Sequence, residues 1–174
     1  MELVCKGEGV MRVDIRFAKD GRFFNLGAKA IIIEGDYLLM VTNDSADYYY
    51  FPGGGVNHME TAETAVKREV FEETGTNYEI ERLVFVYENI FDNVTDAPVL
   101  KGMDCHEIAF YFLMKPRGSR DVICQSIGFG GEKESLHWLP VKDIKKYKLY
   151  PNFIYEKISN LPQTLEFVSE DRRA

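Results

Sequence analysis

Residues 61–74 of this chain read as a helix whose acids point the wrong way. The segment TAETAVKREVFEET has helical content and ends on Gly75, a residue suited to the position just past a helix. With about 100° per residue and Ala62 at zero, Val66 falls near ~40°, Ala65 near ~300° and Val70 near ~80°. That arc is an apolar stripe fit for a core. Glu69 falls at about 340°, Glu73 at about 20° and Glu72 at about 280° on the same wheel. Acids ordinarily face solvent and favour the first turn, where the helix dipole stabilises them. Here they occupy the last turns, on or beside the buried face, and repel one another at i, i+3 and i+4 spacing. Arg68 supplies one positive charge. Clustered carboxylate oxygens suit Mg²⁺ or Mn²⁺ as the rest of the neutralisation. A solvated acidic helix end balanced by Lys67 and Arg68 is the plain alternative.

Just upstream stand Gly53, Gly54 and Gly55, which imply a backbone that bends sharply or approaches something closely. The remaining chain reads mostly as strands. Met11 to Phe17 alternates like an edge strand. Asp20-Gly21 marks a turn. Asn25 to Ile33 and Tyr37 to Thr42 flank Glu34-Gly35-Asp36 as an expected hairpin. Tyr48 to Phe51 is short and aromatic, and stops at Pro52. Ile80 to Tyr87 and Glu107 to Leu113 are further strands, with a loop over Phe91 to Met103 between them. Pro116 to Gly131 is glycine-rich. Leu136 to Leu139 is read as the last strand. Helices are expected from Val141 to Lys146 and from Pro151 to Asn160, and the tail after Gln163 is expected to fray. Strands around one well-marked helix, with helices again at the end, predict a mixed α/β sandwich in one domain over residues 1–174.

Composition narrows the function. With 174 residues and 45% apolar content the chain can bury a real core. A formal charge of −7 argues against a nucleic-acid polymer as partner, though not against a nucleotide held at one local site. The longest candidate stretch, 28–33, is strand-sized, far below the roughly 20 residues that span a bilayer, so no membrane association is expected. MELVCKGEGV lacks the basic-then-apolar pattern of a secretory signal. Cys5, Cys105 and Cys124 have no metal-knuckle or redox spacing. A cytoplasmic protein with reduced thiols is the expectation.

Gly54 to Thr76 resembles the box of the Nudix hydrolase family, G-x5-E-x7-R-E-U-x-E-E-x-G-U with U apolar. Gly54, Glu60, Arg68, Glu69, Val70, Glu72, Glu73 and Gly75 all fall in register. Thr76 departs from the final apolar position, and Met59 stands where many members carry glycine. Phe51-Pro52-Gly53 is similar to the family's approach to the box, and Trp138-Leu139-Pro140 agrees with it more loosely. The resemblance implies a Nudix-type α/β/α sandwich with a mixed sheet and a catalytic loop–helix. It implies an Mg²⁺- or Mn²⁺-dependent pyrophosphohydrolase acting on a nucleoside diphosphate linked to another group, or on a similar small diphosphate compound. It also implies roles. Glu69, Glu72 and Glu73, with the Gly53 carbonyl, would bind metal. Arg68 would orient a catalytic glutamate. Glu60 would fix the loop–helix junction. A further acid from a late loop would be Glu134, with Glu132 second. The general base is a box glutamate or a loop acid, with Glu72 preferred.

Other residues are weighed against ordinary roles. Tyr48, Tyr49, Tyr50 and Phe51 either cap the cleft and stack a base or simply enter the core, and Tyr50 is taken as a substrate-contact candidate. Arg12, Arg16 and Arg22 are either phosphate or carboxylate anchors or solvated arginines, with Arg16 the chosen candidate. His58 lies near any metal and is taken as a candidate for substrate contact or proton transfer, while His106 and Glu107 open a strand that could line the cleft. His137 reads as structural. A non-catalytic nucleotide-sensing or protein-docking module would tolerate loss of box acids, and none is lost. An isoprenoid diphosphate isomerase would need a cleft cysteine, for which Cys105 is the sole candidate. The apolar strands make a homodimer an expectation as well.

Overall fold

The computed structural model describes residues 13–92, 100–123, 131 and 133–173. Met11, Arg12, Glu132, Cys5 and Cys124 therefore lie outside the described residues, as does part of each of the two expected loops.

Asp20-Gly21 turns strand β1 (Arg16–Lys19) back on β2 (Arg22–Ile31), and both turn residues take positive φ, the geometry that matches the twist of a tight hairpin. Of the expected hairpin of 25–33 with 37–42, only the end next to the turn pairs. Gly35 does turn the chain, at φ +60, but it joins only the two-residue β3 (Ile33–Glu34) to β4 (Tyr37–Asn43). After Ile31 the chain changes sheet. β2 instead runs parallel to β7 (Asp104–Met114), in register from Arg22↔Asp104 to Ile31↔Leu113. The parallel partner is far away in sequence, so no local pattern announces it.

Among the described residues, six strands form one mixed sheet. Its path is β1-β2-β7-β6-β9, where β6 is Ile80–Phe91 and β9 is Glu166–Asp171, and the short β5 (Gly53–Gly55) pairs with β2 off the path. The tail expected to fray is thus an edge strand, parallel to β6 from Phe85↔Glu166 to Ile90↔Asp171. The segment read as the last strand is the longer β8 (Glu134–Pro140), which pairs with β4 in a second, three-stranded sheet β3-β4-β8. Tyr48 to Phe51 makes only isolated bridges, Val41↔Tyr50 and Tyr49↔Leu149. Val141–Lys146 is a 3₁₀ helix, and the helix expected over 151–160 shrinks to α2 (Ile154–Lys157) with turns on either side. The Tyr155 hydroxyl helps explain this compaction, since it bonds both the Leu149 N–H and the Tyr147 carbonyl.

The boxed segment forms the well-marked helix, α1 (Ala62–Thr74). Thr61 caps it by accepting the Thr64 N–H, and Gly75 closes it at φ +63 with its own N–H on the Phe71 carbonyl. Ala65, Val66 and Val70 are fully buried with Ala28, Ala30, Ile32, Phe112 and Met114. Burying each valine contributes about 1.5 kcal/mol or more. A second core, centred on Ile31, Met40, Phe51, Phe85, Tyr111 and Ile154, lies toward the C-terminal helices. The two sheets feed both cores, because successive residues of β4 alternate: Leu38 and Met40 enter one, Leu39 the other. Helix, sheets and helix therefore stack in three layers, the α/β/α arrangement that the resemblance implies. Among the described residues, no helix is long and apolar enough to cross a membrane.

Candidate active site

The triple glycine is a strand pressed against β2, with Gly27↔Gly55, Ala28↔Gly54 and Lys29↔Gly53 in register. Gly53 has φ +127, and a Cβ there would stand 2.2 Å from the Ala28 carbonyl oxygen. At Gly54 a Cβ would stand 2.5 Å from Cδ of Glu69. Side chains are excluded because two things press in: the β2 backbone on one side and a helix carboxylate on the other.

Glu69 and Glu73 lie where their angles predict, and Glu72, expected beside the buried face, does not. Glu73 is buried, at 5% exposure, and accepts the Gly53 N–H at 3.0 Å. Burial raises its carboxyl well above the ordinary value, the nearby Glu134 and Glu69 raise it further, and Lys29 opposes them. Glu69 is largely enclosed and is raised by desolvation, against the pull of Arg68 and Lys29. Glu72 faces outward, its side chain 44% exposed and 3.5 Å from an Arg68 nitrogen.

Arg68 ties the helix to the loop before it. Its Nε and Nη2 donate to the two oxygens of Glu60 at 2.9 and 2.8 Å, a bidentate pair. Nη2 also reaches the Gly55 carbonyl at 3.1 Å, and Nη1 donates to Glu69. Glu60 in turn accepts the backbone and side-chain N–H groups of Asn57. These donors, Arg68 first, hold the Glu60 carboxyl down to about 2. Met59, at the position where many family members carry glycine, keeps a left-handed backbone at φ +65 with its side chain fully in solvent.

The second sheet brings Glu134 to the same place. It opens β8, is nearly buried, and accepts the Tyr50 hydroxyl at 2.7 Å. Asn43 donates to the same hydroxyl. The Tyr50 phenol is raised by burial and by Glu134. Tyr50 thus secures an acid, and its ring meets Tyr48 edge-on. The remaining candidates spread out. Arg16 pairs with Asp14 at 3.0 Å and bonds Asn25, beside Gly55 at the far end of the triple glycine. Asn25 passes the contact on to Glu107. His58 is exposed on the loop before α1, with its N–H on the Val13 carbonyl. His106 turns to Glu88 and Phe24, and His137 to Ser135 and Tyr49. Cys105 is buried, and burial with Asp104 and Glu107 pushes its thiol up, the opposite of what a reactive cysteine needs.

Lys29 is the site residue that sequence reasoning passes over. It is the only charge in the stretch 28–33, and its ammonium donates to the Gly53 carbonyl at 2.9 Å. A lone cation in an apolar strand was the available signal. Among the described residues no three carboxylate, imidazole or thiol groups converge into a metal cluster. The donor chemistry nonetheless fits a hard divalent ion: Glu69 and Glu73 lie against the backbone of Gly53 and Gly54, Glu134 is near enough to raise the Glu73 carboxyl, and an ammonium already sits on the Gly53 carbonyl.

A NUDIX domain model matches residues 24–158. A MutT-like protein from Streptomyces ambofaciens is 39% identical over 62 residues, which cover 36% of this chain and 40% of that protein. The match therefore spans about two fifths of that relative. Among solved structures, a MutT protein from Bacillus halodurans superposes with TM-score 0.61 at 18% identity, covering 84% of this chain and 90% of the other. An ADP-ribose pyrophosphatase from Streptococcus suis superposes with TM-score 0.52 at 17% identity, covering 84% and 98%. At these identities the likeness is one of fold.

Proposed function

Because the chain belongs to the Nudix family, whose domain accounts for residues 24–158, we propose that it is an Mg²⁺- or Mn²⁺-dependent pyrophosphohydrolase. Its substrate class is a nucleoside diphosphate linked to another group, or a similar small diphosphate compound. The observation that carries this reading is the packing of Glu69 and Glu73 from one helix against Gly53 and Gly54, with Glu134 of the second sheet near enough to raise the Glu73 carboxyl. Such a cluster of partly desolvated acids costs stability, and a cation-dependent reaction is a reason to keep it.

Glu69, Glu72, Glu73, Glu134 and the Gly53 carbonyl would hold the ion. When bound, it would clamp the diphosphate oxygens and make water a better nucleophile at neutral pH. The protein's own residues do the rest. Arg68 fixes Glu69 and keeps Glu72 within reach at the open side. Glu60 holds Arg68 bidentate, so the guanidinium cannot turn. Glu72, half in solvent, is the group we assign to take the proton of the attacking water. Tyr50, itself bonded by Asn43, holds Glu134 in place near Glu73. Arg16 and His58, on either side of the box loop, are the proposed contacts to the outer parts of the substrate.

The test is hydrolysis by metal-stripped protein of a panel that starts with ADP-ribose, the compound in the name of the Streptococcus suis neighbour. Nucleoside diphosphate sugars, dinucleoside polyphosphates and oxidised nucleoside triphosphates complete it. Turnover should return with Mg²⁺ or Mn²⁺ and rise toward alkaline pH. Glu72→Gln should lower kcat by about a hundredfold or more with the fold intact. Full activity in excess chelator would sink the metal requirement. A Glu72→Gln variant with parental turnover would remove that residue from the chemistry.

A further inference from the structure

Lys29 occupies an unusual position. It comes from the middle of β2, where its neighbours Ala28 and Ala30 are buried in the α1 core, so its own side chain leaves the opposite face of the strand. There it meets Gly53, its register partner, and donates to that carbonyl at 2.9 Å. The N–H of the same glycine goes to Glu73. One residue, Gly53, is therefore bound at one end by a cation and at the other by a buried anion. The other acid of the pair, Glu69, packs against Gly54, the next residue of the strand. Arg68, the other cation of the cluster, is committed to Glu60, Gly55 and Glu69.

We propose that Lys29 is a built-in competitor of the divalent ion: its ammonium holds the Gly53 carbonyl, and a metal gains that donor only by displacing it. This rests on the reading of Gly53, Glu69 and Glu73 as metal donors. It extends that reading by giving the chain a means to set the metal concentration at which its site fills. The physical basis is direct. An ammonium and a divalent cation on one carbonyl repel strongly in a partly desolvated site, so they exclude each other. Without the ammonium the Gly53 carbonyl would be open to a metal with no positive charge to displace, and the metal would bind tighter. With it, the loop stays pinned before any metal arrives, at the cost of affinity. A lysine serves this better than an arginine, because a compact charge on a flexible stem withdraws easily.

The experiment measures binding of Mn²⁺ alone, by titration calorimetry and by loss of the free-ion paramagnetic signal, with no substrate present. Lys29→Met removes the charge and Lys29→Gln keeps a donor for the Gly53 carbonyl. Both should bind Mn²⁺ at least about tenfold more tightly than the parent. Lys29→Arg should stay near the parent. A residue with only a packing role would lower stability without tightening metal binding. Should the neutral variants not fold, the parent decides through amine acylation read residue by residue by mass spectrometry. Mn²⁺ should then speed modification of Lys29 several-fold, and an unchanged rate overturns the proposal. Neutral variants that bind Mn²⁺ like the parent, or more weakly, also overturn it and leave the hydrolase reading standing. If the parent binds no Mn²⁺, or binds it as well after Glu69→Gln and Glu73→Gln, the metal assignment itself falls and takes this inference with it.

Discussion

Arg68 divides its guanidinium between Glu60 and Glu69, and the two acids respond in opposite directions. Glu60, with two bonds to Arg68 and two to Asn57, is held down to about 2 from an ordinary 4.5. Glu69, with one arm of the same cation, is still raised by its burial. The difference assigns them different work: Glu60 is a permanently ionised strut, and Glu69 an acid in need of further compensation. A depressed folded value means that Glu60 adds stability above its unfolded pKa, and that this is lost as pH falls from about 4.5 through about 2. The shift corresponds to roughly 3 kcal/mol. Glu60→Gln should therefore lower stability by about that amount at pH 7. The gap between variant and parent should close as both are melted at successively lower pH toward 2. A gap independent of pH would mean that the pair is held by packing rather than charge. At this scale the box was legible, because each of its residues acts within one helix and the loop before it. Lys29 and the anchoring role of Tyr50 were not. Their partners, Gly53 and Glu134, lie 24 and 84 positions away, and only strand pairing brings them near.

Elements differ in how far their causes extend along the chain. Helix α1 is local: a threonine cap, an apolar stripe and a glycine stop are all written within residues 61–75. Its boundaries could therefore be read directly. The strands are not local. Glu34-Gly35-Asp36 is a true turn, yet it serves a two-residue strand, because β2 had already been claimed by β7. The tail misled for the same reason. EFVSED looks polar and exposed, and Phe167 is indeed 65% exposed. What orders it is alternation against β6: Val168 meets the inner core, the Tyr87 hydroxyl donates to Glu170 at 2.7 Å, and Arg172 bonds both Asn89 and Tyr150. Tyr87 and Asn89 are fully buried, so loss of their partners strands polar groups in the interior. Truncation after Gln163 should thus destabilise the protein by about 2 kcal/mol or more. Amide exchange in the full chain should show protection over 166–171. Exchange there at open-chain rates, or a truncated protein with parental stability, would remove β9 from the sheet.

The whole molecule is arranged so that one buried acid depends on everything around it. Glu73 comes from α1, Gly53 from the strand on β2, and Glu134 with Tyr50 from the second sheet and its approach. Folding brings these together and raises Glu73 well above 4.5. The sign follows: a raised carboxyl opposes folding as pH climbs above the unfolded value, because ionisation in the fold is harder than in the open chain. Glu73→Gln removes that charge, keeps the shape and leaves an oxygen for the Gly53 N–H. In chelator the variant should be as stable as the parent or more so, by up to about 1 kcal/mol, with the advantage growing from acid to neutral pH. With millimolar Mg²⁺ the order should reverse. An ion that binds only the folded state stabilises by about 2.7 kcal/mol at a hundred times its Kd, and the variant should forfeit most of it. Four melting temperatures decide the matter, parent and variant with and without Mg²⁺. Equal gains from Mg²⁺ would strike Glu73 from the metal donors. A variant much weaker than the parent in chelator would mean that the bond to Gly53 needs a full carboxylate. The stabilising role would then belong to the loop rather than to the ion.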